Sequence, residues 1–121
     1  MQFSPRSIVV FASLSYMTAC GGDGSVSPTP PTPPVATATI HATPAIQFTP
    51  ATVNLLVGGT VTFDFGAVEH NLYFDNAPAG APANVVTPTS NASVTRTFST
   101  VGRFVYNCHI HPGMTGTIIV Q

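Results

Sequence analysis

The chain has no lysine and no tryptophan, and only 6% of its 121 residues are charged. Three arginines, Arg6, Arg96 and Arg103, stand against Asp23, Asp64, Glu69 and Asp75 for a net charge of −1, and the basic residues do not cluster. This excludes the basic surface that binds nucleic acid, and it leaves acidic partners little to attract them. The apolar stretch at 8–17 is well short of the ~20 residues a membrane-spanning helix needs. No segment has a convincing helical period, which sets helical folds aside. Cysteine is scarce: Cys20 and Cys108 are the two in the chain.

What is present is 44% hydrophobic residues, 12 prolines and a pattern of short alternating runs. Val53, Leu55 and Val57 share one strand face, and after a turn signal at Gly58-Gly59, Val61, Phe63 and Phe65 share another. His70, Leu72 and Phe74 continue this logic; Val94 to Phe98 alternates more weakly; Phe104, Tyr106 and Cys108 fall on one face at period two. With a strand near Thr37 to His41 and a β-branched run from Thr115 to Val120, about seven strands result. The fold class is all-β: a single small antiparallel or mixed β-sandwich. The stretch from Asp75 to Ser93, rich in Ala and Pro and without clear period, reads as a surface excursion.

The amino-terminal part belongs to a different regime. Arg6, the apolar stretch and the small residues Thr18-Ala19 before Cys20 have the layout of a cleaved export signal. Met17-Thr18-Ala19-Cys20-Gly21 resembles the lipobox of bacterial lipoproteins, with Met17 where Leu or Val is usual; acylation of Cys20 is then expected. A Gly/Ser stretch and a Pro/Thr run follow, a composition that buries no core and predicts an extended tether. The expected organisation is a signal peptide at 1–19, lipidated Cys20 and tether at 20–35, and the folded domain at 36–121. If Cys20 is acylated, Cys108 has no disulfide partner, and an unpaired thiol outside the cytoplasm calls for another role.

That role is suggested by Tyr106-Asn107-Cys108-His109-Ile110-His111-Pro112-Gly113-Met114-Thr115-Gly116. A thiol, an imidazole and a thioether at i, i+3 and i+6 around a Pro-Gly turn can converge on one soft metal ion. If strand alternation places Cys108 and His70 at inward-facing strand ends of one sandwich pole, the set becomes His70, Cys108 and His111, with Met114 as a weaker fourth ligand. Two imidazoles, a thiolate and a distant thioether suit copper cycling between Cu(I) and Cu(II). His109 should point away from the metal, and His41 has no partner motif.

At these residues the chain resembles the plastocyanin/azurin-type cupredoxins, the blue copper proteins, from about Thr37 to Gln121. The Cys-x-x-His motif followed by Met is present as Cys108, His111 and Met114, and the upstream His-Asn motif as His70-Asn71. The spacing from His111 to Met114 is similar to the short ligand loop of amicyanin. The resemblance implies a cupredoxin-like Greek-key sandwich holding one type 1 copper, with Asn71 tying the two ligand loops together by hydrogen bonds. Two departures matter. Asn107 stands where plant plastocyanins have a tyrosine, and no acidic cluster is present, so their remote electron route does not carry over. Only one side of Cys108 is flanked by histidine, unlike the multicopper oxidases, which argues against a self-sufficient oxidase.

The resulting expectation is an electron carrier and not an enzyme: a monomeric periplasmic or cell-surface lipoprotein, membrane-anchored through Cys20. Extracytoplasmic redox proteins would dock near His111. Copper storage, delivery or sensing by the same ligands is the alternative, and a structural sandwich holding zinc or no metal is a third reading.

Overall fold

The computed structural model describes residues 29–121. Cys20, the signal segment and most of the tether lie outside the described residues. The order is β1 (Val35–Thr43), β2 (Gln47–Thr49), β3 (Thr52–Phe65), β4 (His70–Leu72), β5 (Val85–Thr89), β6 (Ala92–Phe98), β7 (Gly102–Asn107) and β8 (Thr115–Val120). No helix is present among the described residues, and the all-β sandwich expected from the alternation is the architecture found.

β3 links the two layers. Its first half runs parallel to β8, with Thr52 opposite Thr117 and Leu55 opposite Val120, and its second half lies between parallel β1 and antiparallel β6. The two strands expected around Gly58-Gly59 are thus one hydrogen-bonded run, but a run folded over on itself at that pair. Gly58 has φ of 80°, a left-handed value that glycine adopts without steric cost. A Cβ on Gly59 would stand 2.7 Å from the Leu56 carbonyl oxygen, so the chain doubles back too tightly for a side chain there.

Two strands depart from expectation. β2 is a three-residue strand that hairpins onto the end of β1. β5 lies within the stretch read as a surface excursion and pairs antiparallel with β4, His70 opposite Thr89 and Leu72 opposite Val85. It escapes a periodicity reading because no residue of β5 is fully buried, so it has no apolar face to alternate with.

The inward faces build one core in which Leu55, Val61, Phe63, Phe65, Phe104 and Ile118 are all fully buried. Each such side chain contributes about 1.5–3 kcal/mol of transfer free energy. Tyr106 is the hub: its ring meets Phe48 at 4.9 Å and Phe63 at 5.3 Å, both edge-on, the favoured geometry for aromatic pairs. Gly116 is the floor beneath that ring, since a Cβ there would collide with the Tyr106 hydroxyl oxygen.

Strand ends collect at two poles. The start of β1, the fold in β3, the β6–β7 connection and the end of β8 share one pole. The ends of β1, β3 and β7 and the starts of β4, β6 and β8 share the other.

Candidate metal centre

The second pole assembles the site, and backbone pairing explains why residues far apart in sequence meet. Just past β4, the Tyr73 N–H donates to the Asn107 carbonyl at 2.9 Å and the Asn107 N–H donates to the Tyr73 carbonyl at 3.0 Å. This pair of bonds fixes the segment from His70 beside the end of β7, one residue before Cys108. Both outward and inward positions of β4 are covered, so His70, Asn71 and Leu72 are all buried.

The other half of the site is a loop closed on itself. The Cys108 N–H donates to the Met114 carbonyl at 3.0 Å, and the Met114 N–H donates to the His111 carbonyl at 3.2 Å. Gly113, with φ of 83°, supplies the left-handed residue that closure requires.

Three of the four ligands expected from sequence converge. His111 Nδ1 lies 3.0 Å from His70 Nδ1 and 3.4 Å from Cys108 Sγ. One donor atom from each of the three residues falls within 4.8 Å of the others. The imidazole rings meet edge-on at 4.8 Å. His70 is sealed from solvent, Cys108 is 5% exposed and His111 is half-buried. Met114, the fourth, is buried at the base of the loop and tied by its backbone to both Cys108 and His111.

The site fits a soft or borderline cation. Two facing ring nitrogens can share only one proton, and a buried thiol beside them offers a weak donor; the trio is a set of lone pairs gathered where water is largely excluded. Burial, with the neighbouring His111 imidazole adding to it, holds the His70 pKa below its ordinary value. A depressed pKa keeps that imidazole neutral, the form that ligates.

Asn71 and His109 connect the halves from outside the trio. Asn71 Oδ1 accepts the His109 N–H at 2.7 Å, across 38 positions of sequence. The His109 ring lies outside the cluster, stacked on Tyr73 at 3.7 Å with planes 6° apart, and its Nε2 hydrogen-bonds Asp75 Oδ2. The same carboxylate oxygen accepts from Asn107 Nδ2 at 3.3 Å. Asp75 therefore grips the residues on both sides of Cys108, and the His109 hydrogen bond lowers its pKa. Neither Tyr73 nor Asp75 carries a sequence signal for this role, because their partners are set by register between distant strands. His41 is not part of the trio; it pairs with Asp64 at 3.0 Å on an exposed face.

Comparison with known proteins agrees with this geometry. Residues 35–121 match the family described as copper binding proteins, plastocyanin/azurin family. Among solved structures, a mutant plastocyanin of fern is 26% identical with a TM-score of 0.58, covering 69% of this chain and 99% of its own. An amicyanin mutant in its reduced Cu(I) form is 21% identical with a TM-score of 0.60, covering 72% of this chain and 84% of its own. The Cu-containing nitrite reductase from Thermus scotoductus SA-01 is 25% identical with a TM-score of 0.60 over 69% of this chain, which spans only 22% of that enzyme. No curated protein matches the sequence.

Proposed function

This chain belongs to the plastocyanin/azurin family of copper-binding proteins, and we propose that it is a type 1 copper protein that carries single electrons between redox partners outside the cytoplasm. The observation that supports this most is the convergence of His70, Cys108 and His111 on one buried point. These three residues would hold the copper, with Met114 as the weaker fourth. Copper bound there supplies one-electron chemistry, alternating between Cu(I) and Cu(II).

The chain's own part is to hold still and to offer a way in. His70 is locked in a fully buried strand, and Cys108 is clamped by backbone bonds to Met114 and by the Tyr73–Asn107 pair, so the ligand atoms have little freedom to move when charge changes. His111 alone of the trio reaches toward solvent, ringed by the exposed Ile110, Pro112 and Gly113. This apolar rim is the docking surface for extracytoplasmic redox proteins, with the His111 ring as the shortest route to the copper. So few charges make association depend weakly on salt. The domain acts as a monomer, anchored through acylated Cys20 as a periplasmic or cell-surface lipoprotein.

Visible and EPR spectra of the copper-loaded protein test the assignment. An intense thiolate-to-copper absorption with reversible one-electron reduction is expected, and a colourless copper protein overturns it. Slow electron self-exchange with ready copper release would point instead to copper delivery by the same ligands.

A further inference from the structure

Four of the seven exposed large hydrophobic side chains among the described residues gather at the pole opposite the metal site. Val35 is 41% exposed, Leu56 43%, Val57 53% and Val101 64%. Register shows that they are neighbours. Val35 lies opposite Leu55 at the start of β1, Leu56 and Val57 form the fold in β3, and the Val57 N–H donates to the Gln121 carbonyl just past β8. Val101 precedes Gly102, which pairs with Val120. The four valine and leucine side chains thus rim one end of the sandwich across adjacent strands, where isolated surface apolar residues would be scattered.

Charge is distributed the opposite way. Asp64 pairs in register with His41 and Ser93 near the ligand pole, Glu69 adjoins His70, and Asp75 grips the residues beside Cys108. No acidic side chain of the described residues stands at the apolar pole, where the exposed Arg103 lies opposite Ile119 in register. The described chain also enters the sandwich here: β1 begins at Val35, and the Thr32 carbonyl just before it accepts from Asn54 Nδ2 at 2.7 Å, one residue from Leu55.

We propose that the apolar pole formed by Val35, Leu56, Val57 and Val101 rests on the lipid bilayer to which the chain is tethered, turning the ligand loop away from the membrane. The inference rests on the lipid-anchor reading of Cys20. Each exposed apolar side chain gains by leaving water for the interfacial region, weakly on its own and usefully once an anchor has brought the surface close. An anionic bilayer repels the acidic ligand pole and not this one. The consequence is functional: a domain free to tumble on its tether would at times turn its docking rim toward the bilayer, whereas a seated domain presents His111 outward.

The absence of tryptophan makes the test direct, because a single introduced indole is the sole one in the chain. Metal-free, full-length mature protein carrying Val57→Trp or Ile110→Trp is placed in phosphatidylethanolamine/phosphatidylglycerol vesicles containing brominated acyl chains, and its mass is measured to read acylation of Cys20. The expected result is acylated protein with Trp emission quenched several-fold more at position 57 than at position 110, and with that difference lost when Leu56→Asp is added. Acylated protein with equal quenching at both positions overturns the seating and leaves the anchor standing. Unacylated protein overturns the anchor reading and this inference with it. Quenching absent in protein-free vesicles but restored shielding of position 57 in native membranes assigns the pole to a protein partner, and overturns the lipid assignment.

Discussion

The two halves of the metal centre are built in opposite ways. The β4 half, His70 to Leu72, is buried at every position, while the loop half exposes His109, Ile110, Pro112 and Gly113 around a half-buried His111. One half supplies a ligand that nothing outside can touch. The other supplies the thiolate and a ligand that a partner can reach. A carrier needs both, since rigidity limits reorganisation and exposure shortens the electron's path.

Cys108→Ser tests the loop half most severely. Loss of the thiolate should abolish the visible absorption of the copper form entirely, while far-ultraviolet circular dichroism stays that of a β-sandwich, because Cys108 stands just beyond β7 and outside the aromatic hub. Retained colour would remove Cys108 from the ligand set.

Asn71→Ala cuts the link between the halves. The side chain is 4% exposed and its Oδ1 accepts the His109 N–H. Removing a buried acceptor leaves that donor unpaired, a cost of about 1–3 kcal/mol, readable as a lower urea midpoint of the metal-free protein. Faster copper release should accompany it, as the loop loses its tie to β4. Unchanged stability and release would mean that the backbone pairing of Tyr73 with Asn107 joins the halves unaided.

The buried half should also impose an acid limit. The folded-state pKa of His70 lies below its ordinary value, so the unfolded chain takes up this proton first as pH falls. Stability of the metal-free protein is then level above the ordinary histidine pKa of about 6.5 and declines below it. His70→Gln, which cannot charge, should flatten that decline in urea unfolding followed between neutral and mildly acid pH.

How far each half could be read from sequence follows from the same contrast. Cys108, His111 and Met114 lie within one short run, and the alternation of Phe104, Tyr106 and Cys108 was legible because β7 has one buried face and one exposed face. His70 was reachable through Leu72 and Phe74, although β4 itself is too short and too completely buried to show alternation. β5 was not legible, having no buried face, and neither was the double function of β3, which takes one hydrogen-bonded run into both layers. The grip of Asp75 on Asn107 and His109 spans 32 and 34 positions. Nothing local announces such a contact, because it exists only once β4 and β7 are in register.

Asp75→Asn is the mildest way to probe the boundary between the halves. The carboxylate is solvent-facing, so its effect on stability should be small, in keeping with surface ion pairs generally. Its sign is nevertheless fixed. The His109 hydrogen bond depresses the folded-state pKa, so the stabilisation is fully present above the ordinary carboxylate pKa and is lost as pH falls through the lower folded value. Wild type and variant should differ slightly at neutral pH and converge in strong acid, and added salt should shrink the neutral difference. The larger consequence is expected in order: with the charge gone, the His109 ring keeps only a weaker neutral hydrogen bond and its stack on Tyr73. NMR of the reduced protein should then show broader or averaged His109 ring signals with the His70 signals unmoved. Equal disturbance of both would mean that the exposed half is not separable from the buried one, and that Asp75 acts on the ligand set as a whole.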